Sequence, residues 1–137
     1  MTDCVLDASA ILACLNGEPG AEKVVVTMHE HHCFVTTVNW VEVVSRLLDW
    51  GMPAQEAEAA VASLEIRVVS FDSAVAQRCA VLRPITRPLG LSLGDRACLA
   101  LAQQLNAPVL TADRPWLELA APLNLDIRCI RPDLPAH

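Results

Sequence analysis

Cys4-Val5-Leu6-Asp7 is an apolar run that ends abruptly on a carboxylate, and it sets the reading of everything after it. With no polar residue alternating along it, the run reads as a buried strand covered on both faces. Ser9 is placed to cap a helix through about Asn16, with Gly17 closing it. A second helix is expected from Pro19 to about His29, followed by a second strand, Cys33-Phe34-Val35-Thr36. The alternation continues to the end of the chain. Helices are expected over 38–50 and 54–64, a strand over 66–69, and a helix capped by Asp72 running to about Leu82. Pro84, Pro88 and Gly90 read as a loop. A helix over 94–105, the strand Val109-Leu110-Thr111, a short helix around Trp116 and a strand over 127–130 complete the pattern.

Apolar strands alternating with helices imply an α/β domain with a mainly parallel sheet between two helical layers. The chain of 137 residues is long enough for one such domain, expected to span 1–137, and contains no repeat or low-complexity linker. No apolar run is long enough to span a bilayer, and the N-terminus lacks the pattern of a signal peptide, so a cytoplasmic, non-membrane protein is expected. The six cysteines are scattered singly with no CxxC pair, which reads as reduced thiols packed as small hydrophobes rather than a zinc site or a disulfide framework.

The net charge of −6, from 10 basic and 16 acidic residues, argues against binding nucleic acid through a broadly basic surface. Nine of the 10 basic residues are arginine, the side chain suited to bidentate phosphate contacts, so a local arginine rim is compatible with an acidic overall balance.

In parallel sheets ligands gather beyond the carboxyl ends of the strands, near a switch in strand order. Asp7 follows the first strand and Asp113 follows the strand ending at Thr111. Asp95 falls in the first turn of an apolar helix. Glu42 shares a polar helix stripe with Asn39, Arg46 and Asp49, while Val41, Val44, Leu47 and Leu48 are expected to be buried. Carboxylates brought together from separate elements suit Mg²⁺ or Mn²⁺, which prefer hard oxygen ligands. Taken singly, each residue reads more readily as a turn former, a helix cap or a solvated position than as a catalytic group. Spacing leaves the two readings open.

Four local motifs add to this. Val5-Leu6-Asp7-Ala8-Ser9-Ala10, Val38-Asn39-Trp40-Val41-Glu42-Val43, Leu91-Ser92-Leu93-Gly94-Asp95 and Val109-Leu110-Thr111-Ala112-Asp113-Arg114-Pro115-Trp116 resemble, in order, the motifs of PIN domains, especially the VapC toxins of bacterial toxin–antitoxin pairs. The resemblance implies a five-stranded parallel α/β/α sheet. It also implies an endoribonuclease dependent on Mg²⁺, with Mn²⁺ as a substitute, that cuts an exposed loop of structured RNA such as transfer or ribosomal RNA. Hydrolysis would leave a 5′-phosphate and a 3′-hydroxyl. By position it assigns Asp7, Glu42, Asp95 and Asp113 to catalysis and metal binding, with Ser9 and Thr111 in support. Arg46, Arg96 and Arg114, close in sequence to those acids, are candidate RNA-phosphate contacts, or else surface salt-bridge partners. A cognate antitoxin is the implied partner. Apolar excess around Trp50 and Met52 fits a homodimer, or ordinary core. The competing assignments are a phosphatase of another α/β class, weakened because Asp7-Ala8-Ser9 lacks a second Asp, and a non-catalytic PIN-like binding module, which predicts a broken acidic set. His29, His31 and His32 read as a solvated helix terminus.

Overall fold

The computed structural model describes residues 1–132. Five strands, β1 (Thr2–Leu6), β2 (His31–Thr36), β3 (Arg67–Val69), β4 (Val109–Thr111) and β5 (Ile127–Cys129), form one all-parallel sheet in the order β3-β2-β1-β4-β5. The chain moves outward from β1 to β3, then returns to place β4 and β5 on the other side of β1. The switch in strand order therefore lies between β1 and β4, the two strands that lead into Asp7 and Asp113.

Successive residues of β1 point to opposite faces, which divides the apolar interior in two. Cys4 and Leu6 join a core with residues of α1 (Ala8–Asn16), α2 (Ala21–Glu30), α3 (Thr37–Asp49) and α4 (Ala54–Ala62). Val5 and Val109 face the other core, built on α5 (Ser73–Val81) and α7 (Leu93–Leu105), with Trp116 fully buried among them. The short helices α6 (Arg83–Thr86) and α8 (Ala120–Leu123) complete the layers. The expected α/β/α fold with five parallel strands is the fold observed. Among the described residues all six cysteines are free thiols, four of them buried. No helix among those residues is long and apolar enough to cross a membrane.

Four local expectations need correction. Ser9 is not the cap of α1; Asp7 has the extended backbone of the capping position and its side chain accepts from Ala10 N. Both residue types can cap, and the end of β1 decides which one stands at the junction. The Pro84–Gly90 stretch is not an open loop. It forms α6 and a 3₁₀ turn (Arg87–Leu89), because proline at a first helical position surrenders an N–H that has no partner there. His31 and His32 do not belong to a helix terminus: they open β2, paired with Thr2 and Asp3, and only His29 lies in the last turn of α2. On α3 the buried stripe is Asn39, Val43, Val44 and Leu47, which leaves Val41 and Leu48, seven residues apart on another face, exposed.

One glycine is needed where the helical layer meets the end of the sheet. Gly20, with φ of 97°, caps α2, and a Cβ there would lie 2.8 Å from the carbonyl carbon of Ile130.

Candidate active site

Asp7 is 3% exposed and is held by hydrogen bonds from three donors. Ala10 N donates to Oδ1 at 2.8 Å, Thr111 Oγ1 donates to Oδ2 at 2.6 Å, and Ser9 Oγ lies 2.7 and 2.8 Å from the two oxygens. Ser9 Oγ also receives Ala112 N at 2.9 Å, and Thr111 Oγ1 receives Asp113 N at 3.0 Å. The two hydroxyls thus tie the end of β1 to the end of β4. Burial pushes the Asp7 carboxyl up to about 6. The bonds from Thr111, Ala10 and Ser9 pull the other way, and the nearby Asp95 charge adds a smaller push upward.

Glu42 enters from α3 and is held by a residue of its own helix. Thr36 caps that helix by accepting Asn39 N at 3.0 Å, and its hydroxyl donates to Asn39 Oδ1 at 2.6 Å. The oriented amide then donates from Nδ2 to Glu42 Oε1 at 2.8 Å and to the Gly94 carbonyl at 3.0 Å. Asn39 is 1% exposed, so α3 and α7 are bridged by a buried amide whose polar atoms are satisfied. Glu42 sits directly on Gly94; a Cβ at that glycine would lie 2.5 Å from Glu42 Cδ.

Asp95 completes a capping box at the start of α7. Asp95 N donates to Ser92 Oγ at 3.1 Å, and Ser92 N donates to Asp95 Oδ2 at 2.9 Å. Asp113 follows β4 and is exposed. All four acids line one crevice of about 210 Å³, together with Ala8, Ser9, Leu12 and Arg46.

Of the three arginines nearest these acids in sequence, only Arg46 lines the crevice. Arg96 Nη1 donates to the Cys79 carbonyl at 3.2 Å, anchoring α7 to α5. Arg114 Nη2 donates to the carbonyls of Arg131 and Pro132 at 3.1 and 2.7 Å, holding the chain that leaves β5. Trp40 is half-buried against the α1–α4 core. The sequence reading missed the clamping role of Asn39 and the seat at Gly94. The spacing Asn39-x-x-Glu42 on one helix face was the available signal for the first.

The donor set is one of hard oxygens only: four carboxylates and the Ser9 hydroxyl, with no cysteine or histidine among the described residues lining the crevice. That chemistry fits Mg²⁺ or Mn²⁺. Among the described residues no three His, Cys, Asp or Glu side chains are grouped closely enough to hold a metal ion as they stand.

The PIN domain family model matches residues 4–122. No curated protein matches the chain in sequence. Among solved structures, the chain is similar to VapBC2 from Rickettsia felis, described as bound to a DNA fragment from its promoter, with a TM-score of 0.72 and 12% identity over 93% of this chain and 98% of that one. It is also similar to a toxin–antitoxin complex from Klebsiella pneumoniae (TM-score 0.71, 16% identity, 95% and 99% covered). A third similar structure is FitAcB from Neisseria gonorrhoeae (TM-score 0.65, 19% identity, 93% and 97% covered).

Proposed function

The chain belongs to the PIN domain family, and from that membership together with its intact acidic crevice we propose that it is a divalent-metal-dependent endoribonuclease, the toxin of a toxin–antitoxin pair. The observation that carries the reading is the convergence of Asp7, Glu42, Asp95 and Asp113, from four separate elements, on one crevice at the switch point of the sheet.

In this reading Asp7, Glu42, Asp95 and Asp113 hold Mg²⁺, or Mn²⁺ in its place. When bound, the cation supplies charge against the phosphodiester and acidifies water at neutral pH. Thr111 and Ser9 fix the rotamer of Asp7, so both of its oxygens are oriented before any ligand arrives. Asn39 does the same for Glu42 through Oε1. The Ser92 cap fixes Asp95 and spends one of its oxygens on Ser92 N. No side chain of the crevice acts as a covalent nucleophile.

The substrate class is structured cellular RNA cut in an exposed loop, of transfer or ribosomal type, where backbone and bases are splayed. A cytoplasmic location, a cognate antitoxin and a homodimer belong to the same proposal. The similarity to VapBC2 and to the Klebsiella pneumoniae toxin–antitoxin complex supports the antitoxin. The exposed Val41, Leu48 and Trp50 support the homodimer.

The test is cleavage of total cellular RNA by the purified protein with Mg²⁺ or Mn²⁺, beside Asp7→Asn and an EDTA control. Discrete fragments that vanish in both controls are expected. Identical behaviour of the native protein and Asp7→Asn would reject the acidic crevice as the reactive centre.

A further inference from the structure

A chain of net charge −6 that presents four carboxylates must still draw in a polyanion, and among the described residues Arg46 is the only cation lining the acidic crevice. A second hollow, of about 190 Å³, is lined by Ser9, Ala112, Asp113 and Arg131. Ser9 and Asp113 line both, so the two hollows adjoin across those residues and together make up the cleft considered below. We propose that Arg131, just beyond β5, is an RNA-binding residue that takes a phosphate flanking the one presented to the carboxylates; this subsite rests on the nuclease reading given above.

Three features of the fold fit Arg131 for that task. Its side chain is 56% exposed, and its only ion pair among the described residues is with Glu18 at 4.0 Å, a long, solvated contact that a phosphate readily displaces. Its backbone, in contrast, is fixed. Ile130 N donates to the Thr111 carbonyl at 2.8 Å, the Arg114 guanidinium holds the carbonyls of 131 and 132, and Gly20 lets α2 close against Ile130. A mobile charge is thus carried on an anchored stem tied to the same threonine that orients Asp7. Finally, a guanidinium offers paired N–H donors matched to phosphate oxygens.

The sheet order gives the subsite a direction. Arg46 stands on the helix that follows β2, Asp7 ends β1, Asp113 follows β4, and Arg131 follows β5. The strands β1, β4 and β5 are neighbours, and from β1 to β5 is two strand spacings, about 10 Å. Arg46 reaches the crevice from the last turn of α3 and not from a strand end. A single RNA strand laid across the ends of β1, β4 and β5 would meet the carboxylates and then the Arg131 cation. Of the arginines singled out by sequence, Arg114 contributes indirectly, by presenting Arg131.

The experiment uses binding and cleavage together. In the Asp7→Asn background with Mg²⁺ present, affinity for an unstructured oligouridylate is measured across KCl concentrations, with and without Arg131→Ala. Arg131→Ala is expected to weaken binding about tenfold, as loss of one charge-assisted contact warrants, and to flatten the log K against log salt slope by about 0.7, the value for one phosphate of a single strand. In the otherwise native protein the same change raises KM for RNA cleavage and leaves kcat in place, and Arg131→Lys restores part of the loss. Arg128→Ala is the control: Arg128 lies on β5, three residues before Arg131, is paired with Asp126 at 2.7 Å, and lines neither hollow of the cleft. If the native chain cleaves RNA but Arg131→Ala matches Arg128→Ala in slope and KM, the subsite is wrong and the nuclease reading stands. If the native chain neither binds nor cleaves RNA, the nuclease reading fails and takes the subsite with it.

Discussion

Gly94→Ala separates the geometry of the crevice from the stability of the fold. Gly94 is the second residue of α7, and a Cβ built there lies 2.5 Å from both Cδ and Oε2 of Glu42, against the roughly 3.5–4.0 Å of an ordinary contact. The obstacle is the far end of a flexible side chain, so the backbone stays and the Glu42 carboxylate retreats by about 1 Å or more. That retreat stretches the 2.8 Å bond from Asn39 Nδ2. The lost bond costs about 1.5 kcal/mol or more when the acceptor is charged, less what water returns to an exposed glutamate. Replacing glycine by alanine in a helix returns up to about 1 kcal/mol. The two nearly cancel, so the melting temperature should move by no more than about 4 °C. Catalysis has no such compensation, since a misplacement of about 1 Å costs on the order of 10²-fold in rate. The assays are thermal unfolding and single-turnover RNA cleavage on the same preparation, with Gly94→Ala/Glu42→Asp as a rescue because the shorter acid leaves room for the methyl. Native cleavage rates in Gly94→Ala would refute the need for this seat. Parallel loss of activity and fold would refute the view that only the Glu42 tip must move.

Three further predictions follow from the same contacts. Folding raises the Asp7 carboxyl from 3.8 to about 6, so its contribution favours the folded state below about pH 4 and is lost as the pH rises through about 6, by roughly 3 kcal/mol; in EDTA, Asp7→Asn should therefore gain stability over the native protein across that window, and a pH-independent difference would contradict it. Thr111→Val keeps the shape but removes the 2.6 Å donor that holds the Asp7 charge, so the acidic limb of the cleavage profile should move to higher pH; an unmoved limb would deny Thr111 that role. Light scattering should give a dimer mass for the native chain and a monomer mass for Trp50→Glu, whose native side chain is 50% exposed beside exposed Leu48; a native monomer would remove the homodimer from the proposal.

The fold was legible because the central strands announce themselves as buried runs, whereas β3 and β5 at the edges are partly exposed. Cys4-Val5-Leu6 and Val109-Leu110-Thr111 are covered on both faces and so carry no alternation to confuse them with surface strands. The four acids were legible as motifs, but their meeting was not, since no spacing along the chain says that positions 7, 42, 95 and 113 share a crevice. What escaped the sequence was set by tertiary contact. Asn39 reads as a solvated helix position until Gly94 of a distant helix is laid against it. Gly94 reads as an ordinary first-turn residue until Glu42 is placed where its side chain would be. Arg131 is far in sequence from every acidic motif except that of Asp113, and only the sheet order brings it alongside. Ser9 and Asp7 are both good caps, and the register of β1 chose between them.

Because β4 inserts beside β1 only after all the intervening chain exists, a ribosome makes Asp7, Glu42 and Asp95 well before it makes the residues that unite them. At about 5–20 residues per second, roughly 5–20 s separate the synthesis of Asp7 from that of Asp113. Through that interval β1 has an open edge, Asp7 lacks the Thr111 hydroxyl, and there is no crevice to hold a cation. A nascent or truncated chain that stops before residue 109 therefore lacks the assembled crevice on which the proposed activity depends. Topology acts here as a timer, withholding that crevice until translation of the domain is nearly finished.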